Sequence, residues 1–105
     1  MVLYNSPPEA MAFMANATEE QKAEGMKPWA AWMEQCGDSL VDGGAPLAQG
    51  MAFTSSDCTD CSGAVSGYSV LKADSMDDAC KLVKDHPHLN WMDGCSLQLF
   101  ETAPM

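Results

Sequence analysis

The two histidines of this chain stand two residues apart, His86 and His88, on either side of Pro87. Imidazole is the side chain whose ordinary titration range suits proton transfer near neutral pH. In extended chain an H-x-H pair puts both rings on one face. There they could act as a general base with a helper, as ligand contacts, or as two ligands of a metal. The plainer alternative is a helix C-terminus, where an imidazolium meets the negative end of the dipole. Asp42 is the natural carboxylate partner if it points inward from its strand; otherwise it caps a turn at Gly43-Gly44. Trp29, Trp32 and Tyr68 offer an apolar lining between helix and sheet, or plain core. The expected site is therefore His86 and Asp42 for acid–base work, with His88, Tyr68, Trp29 and Trp32 as ligand contacts.

Cys58 and Cys61 form a C-x-x-C. A structural zinc needs four ligands, commonly two such pairs, and this chain has one. A thioredoxin-like pair needs a helix N-terminus to lower the thiol pKa, and a polar hairpin tip provides none. Two exposed thiols in a loop are the reading preferred, a half-site completed by a partner subunit the alternative. No metal and no cofactor is expected. Cys36 and Cys80 fall on apolar helix faces, and with an odd total of five cysteines the set reads as reduced thiols rather than a disulfide framework.

At 105 residues the chain fits one domain, 1–105, with a modest core. Its 47% hydrophobic and 19% charged residues are an ordinary globular composition. The net charge of −10 decides more. Five basic residues cannot build the stripe that neutralises phosphates, so nucleic acid and anionic membranes are disfavoured as partners. No run approaches the roughly 18 apolar residues of a membrane span. The start lacks the basic and apolar regions of a signal peptide, and a cytoplasmic location is expected.

The elements that must position these residues are legible in part. Met1–Tyr4 reads as a first strand and Glu9–Asn16 as a short helix. Thr18 and Gln21 make a capping box, opening one helix kinked at Gly25 and Pro28 or two short ones in line, ending near Cys36. Trp29, Trp32, Met33 and Cys36 recur on one helical face, and Gly37 closes it. Asp38–Asp42 resumes as strand, bent at Gly43-Gly44-Ala45-Pro46. Met51–Thr54 and Val65–Ala73 read as a hairpin with Ser55–Gly63 as its polar tip. Ser75 and Asp78 cap the second long helix, with Met76, Ala79, Cys80 and Val83 as its buried stripe. Pro87 ends it and pushes His86 toward an extended conformation. Cys95 to Glu101 alternates as a last strand. Two helices among about four strands give an α+β fold of the ferredoxin-like βαββαβ kind. One sheet face is then left without a helix, and a homodimer is the simplest cover.

Gly37–Leu47 (GDSLVDGGAPL), the run GYSVLKADSMDDACKLVKDHPHL and the closing strand resemble the YCII-related proteins, in the branch that includes the DGPF-type domains. The resemblance runs from about Thr18 to Glu101. It implies a ferredoxin-like subunit that pairs into a dimeric α/β barrel. Some members are lactone dehalogenases thought to use a His–Asp pair, the His following an Arg-Pro pair in the first helix. This chain has Lys27-Pro28 followed by Trp29 and Ala30, so that His is absent. Where those members carry an Asp before Pro, His86 stands here, one residue after Asp85. The DGPF signature is replaced by residues near Thr59-Asp60-Cys61-Ser62. Two functions follow as expectations: a small-molecule-binding dimer with His-assisted acid–base chemistry, or a non-catalytic accessory module, since some relatives occur beside alternative sigma factors.

Overall fold

Alternation in the first strand sets the architecture. In β1 (Val2–Asn5) Val2 and Tyr4 are buried, while Leu3 and Asn5 are half-buried. The computed structural model describes residues 1–61 and 65–103, without the side chain of Met11. After β1 come α1 (Pro8–Asn16), α2 (Glu19–Cys36), a 3₁₀ turn at Gly37–Ser39, β2 (Leu40–Asp42), β3 (Met51–Phe53) and β4 (Cys58–Asp60). β5 (Val65–Leu71), α3 (Met76–Val83), a second 3₁₀ turn at Pro87–Asn90 and β6 (Ser96–Leu99) complete the chain.

The main sheet has the order β2-β5-β1-β6. β5 runs antiparallel to both β1 and β2, and β6 antiparallel to β1. The fold is α+β with an antiparallel sheet. Register places Val2 opposite Ser69 and Leu99, and Tyr4 opposite Gly67 and Leu97. Those residues share one face, and the core lies there: Val2, Tyr4, Trp32, Cys36 and Val83, ringed by Trp29, Met33, Leu40, Leu71, Leu82, Leu97 and Leu99. α2 and α3 therefore pack on the same side of the sheet. Leu3 and Tyr68, paired in register, belong to the opposite face. Among the described residues no helix is long and apolar enough to cross a membrane.

α2 is one unbroken helix through Gly25 and Pro28. Its first turn carries the complete capping box: Thr18 Oγ1 accepts from the Gln21 N–H, and Gln21 Oε1 accepts from the Thr18 N–H. The Trp32 indole N–H donates to the Leu82 carbonyl at 2.8 Å, tying α2 to the end of α3. Ser75 caps α3 by accepting from the Asp78 N–H.

Two expectations are corrected. Met51–Phe53 pairs not with β5 but with Cys58–Asp60, inside the stretch read as a polar tip; of that tip, Ser62 and Gly63 lie outside the described residues. The Thr54 N–H donates to the Asp57 carbonyl, closing a short turn that leaves Cys58–Asp60 free to pair back. β5 is taken by β1 and β2, since a seven-residue strand with buried alternate positions belongs in the sheet centre. The buried stripe of α3 is also rotated. Ala79, Leu82 and Val83 turn inward, while Met76 and Cys80 are exposed, because Leu82 and Val83 are the positions that meet the Trp32 side of α2.

Gly44 is the tightest backbone approach. Its φ is +79°, and a Cβ there would stand 1.6 Å from the Tyr68 carbonyl oxygen, which is backbone and cannot step aside. Gly44→Ala should cost about 3 kcal/mol, against about 1 kcal/mol for loss of the cap in Ser75→Ala. Urea unfolding of both variants checks this; an alanine at 44 as stable as the parent would mean the Gly44 backbone lies away from β5.

Candidate functional site

The residues that surround His86 come from three elements, β1, α2 and the second 3₁₀ turn. Pro87 holds His86 outside α3 in an extended conformation, φ −59° and ψ 136°. From there the imidazole folds back under the sheet and is fully buried. Its ring centroid lies 4.2 Å from that of Trp32 and 4.5 Å from that of Trp29, both on α2. Tyr4 of β1 stands 4.9 Å away on the other side. His88, also buried, packs edge-on against the same tyrosine at 5.3 Å.

The hydrogen bonds fix the protons. The His88 backbone N–H donates to His86 Nδ1 at 3.0 Å, so Nδ1 carries no proton and the neutral ring is protonated at Nε2. Nε2–H then donates to the Tyr4 hydroxyl oxygen at 3.1 Å. The Tyr4 O–H is left to donate to Ser69 Oγ at 2.9 Å, and the Ser69 O–H to the Gly43 carbonyl at 3.0 Å. This is a directed chain of three buried side chains and the half-buried Gly43 carbonyl, running from the second 3₁₀ turn through β1 and β5 to the bend after β2. His88 Nε2–H donates to the Asn5 carbonyl at 2.9 Å. Among the described residues no buried side-chain polar atom lacks a partner.

Electrostatics favour the uncharged forms. Burial first, and then the neighbouring His88, push the His86 pKa down from 6.5 to about 4. Burial pushes the Tyr4 phenol up, despite the opposing effect of its hydrogen bond with Ser69. Both groups are neutral at physiological pH, and neither ring nitrogen of His86 is open to a bound molecule.

Of the residues singled out in the sequence, the structure gathers His86, His88, Trp29 and Trp32 into one aromatic cluster. Asp42 is exposed, and its Oδ1 accepts the Gly44 N–H at 2.8 Å, the turn-capping role. Tyr68 is half-buried on the sheet face away from the cluster. The H-x-H motif is itself a local cap, with the His86 side chain capping the 3₁₀ turn that Pro87 begins. Sequence reasoning passed over Tyr4 and Ser69. The signal was available: a tyrosine at an inward position of a buried strand needs a partner for its hydroxyl, and Ser69 is the inward polar residue opposite Val2. Cys58 and Cys61 are exposed, and among the described residues no group of three or more His, Cys, Asp or Glu side chains could hold a metal.

Two concavities lie near the cluster. The larger, about 490 Å³, is the hollow of a single loop, Leu89–Cys95. The other, about 320 Å³, is built where α2 meets the second 3₁₀ turn and is lined by Gly25, Pro28, Trp29, Pro87, Asn90 and Trp91. Trp29 is shared, since it packs on His86 and Tyr4 and also lines this groove.

Because the folded-state pKa of His86 is depressed, the folded chain binds fewer protons than the unfolded one between pH 6.5 and about 4. Stability is full above pH 6.5 and falls as pH drops through that window, by about 3 kcal/mol in all. Urea midpoints measured across the window should show the fall, and His86→Gln should flatten it; a parent curve already flat there would contradict a buried neutral His86. Tyr4→Phe strands the His86 Nε2–H and should cost about 2 kcal/mol, read from the same unfolding curves. The chain matches no family model, no curated protein and no solved structure, and its function is read from this geometry.

Proposed function

We propose that this protein is a YCII-like, small-molecule-binding homodimer whose ligand sits in the groove between Trp29 and Trp91. The observation that carries the reading is the groove itself. It is concave, drawn from two separate elements, free of charged lining residues and walled by two indoles, as ligand pockets commonly are. Its volume of about 320 Å³ is at the small end for such pockets. Binding rather than acid–base catalysis is the role supported, because both His86 nitrogens are spent on protein partners and Trp29 stands between that ring and the groove.

The subunit reading is ferredoxin-like. The order β2-β5-β1-β6 with its antiparallel neighbours supports two interleaved split β-α-β units, β3 and β4 being an added hairpin. The dimer is supported by excess surface. The chain exposes 7445 Å², where a compact chain of 11.2 kDa would expose about 5,700 Å². The difference exceeds the roughly 800 Å² per partner of a standard interface. The half-buried Leu3, Tyr68 and Val70 on the helix-free face are the natural contact.

A non-catalytic accessory module is the second reading, favoured by the β3–β4 hairpin. It presents Met51 and Phe53 to solvent, Phe53 at 75% exposure, a surface suited to a protein partner.

Light scattering should give twice the 11.2 kDa chain mass; a monomer at micromolar concentration would sink the dimer. Toluene titrated into the protein should change tryptophan fluorescence saturably, and Trp91→Ala should abolish the saturable change. A strictly linear response in the parent would count against the groove.

A further inference from the structure

The six residues lining the Trp29–Trp91 groove include neither a carboxylate nor an ammonium, and the molecule around them is strongly acidic. There is no arginine in the chain, and its five lysines face fifteen acidic residues. On α2, whose Gly25, Pro28 and Trp29 line the groove, Glu19, Glu20, Glu24 and Glu34 outnumber Lys22 and Lys27. Lys27 is already paired to Glu24 at 2.7 Å. Asp85 and Asp93 flank the second 3₁₀ turn, each two residues from a lining residue. Behind Trp29 the His86 ring is uncharged at neutral pH, so no positive charge backs that indole.

Resting on the reading of this groove as a ligand site, we infer that it takes a small organic cation of the quaternary-ammonium class, held by the indoles of Trp29 and Trp91 within an acidic molecule. Three features combine. Indole is the aromatic ring that attracts a cation most strongly, through its quadrupole. A quaternary ammonium has no N–H to satisfy, whereas a primary ammonium brings three donors to a groove whose one polar side chain is Asn90. The field of a molecule with net charge −10 draws cations toward the groove and repels anions of the same shape. Trp91 is additionally steadied by an edge-on contact with Phe13 of α1, ring centroids 5.9 Å apart.

The test uses three soluble probes of one shape and different charge, with calorimetric titration of the intact protein. Choline carries the cation, 3,3-dimethylbutanol is its neutral isostere, and 3,3-dimethylbutanoate is the anion. The expected order is choline first, by about ten-fold over the neutral alcohol, with the anion weakest. Trp91→Ala should remove the preference for choline and Trp91→Phe should restore part of it, each variant first confirmed folded by circular dichroism. If the neutral alcohol binds as well as choline, or toluene binds and choline does not, the groove stands as a ligand site and the cation class is overturned. If neither toluene nor any of the three probes binds, the groove reading falls with it.

Discussion

The Tyr4 hydroxyl is the contact on which the rest of this structure depends. Tyr4 is a core residue by position and a polar one by chemistry, and burial of its phenol is tolerable only with partners on both sides. Those partners bring together the turn after α3 and the central strand β5, and Ser69 extends the link to the bend after β2. A single oxygen thereby joins segments far apart in sequence that hydrophobic packing would hold together but not align. Low dielectric around the chain strengthens each link and raises the cost of breaking any one.

The same arrangement explains why a histidine with a neutral-range pKa in water serves here as a structural group. Its Nδ1 caps a 3₁₀ turn and its Nε2–H feeds the tyrosine, while two indoles exclude water from its faces. In the proposed reading a bound molecule is held one layer further out, across Trp29. The indole is the partition between a satisfied polar core and an apolar groove.

How much of this was readable from residues varies by element. The caps at Thr18 and Ser75 and the stop at Pro87 were legible because each depends on side chains within four residues of the backbone they satisfy. Helical spacing puts Trp29 and Trp32 on one face and the H-x-H motif singles out His86 and His88, but their meeting depends on how the second 3₁₀ turn packs on α2, which spacing alone does not give. The pairing of Met51–Phe53 was not legible, because strand partnership is decided by what else competes for β5, and β1 lies some sixty residues earlier. The inward face of α3 was misjudged because Met76 and Cys80 fit an apolar stripe as well as Leu82 does, and only the Trp32 contact chooses. Asp42 carried two meanings in the sequence, and its bond to the Gly44 N–H selects the local one.

Chains of hydroxyl groups ordinarily retain a degeneracy of the kind found in ice, since every O–H can point either way along the line. Here the backbone N–H of His88 occupies one end and the Gly43 carbonyl, which can only accept, terminates the other. With an acceptor at its terminus and a committed nitrogen at its head, the line His86–Tyr4–Ser69–Gly43 has a single arrangement of protons. It contributes no residual orientational entropy and sets up a permanent polarisation through the core, directed from the 3₁₀ turn toward the bend. Its head is a neutral imidazole N–H and its terminus an amide carbonyl, too weak an acid and too weak a base for a proton to pass along it. The line is therefore an insulator of protons, although its residues are those from which proton wires are made.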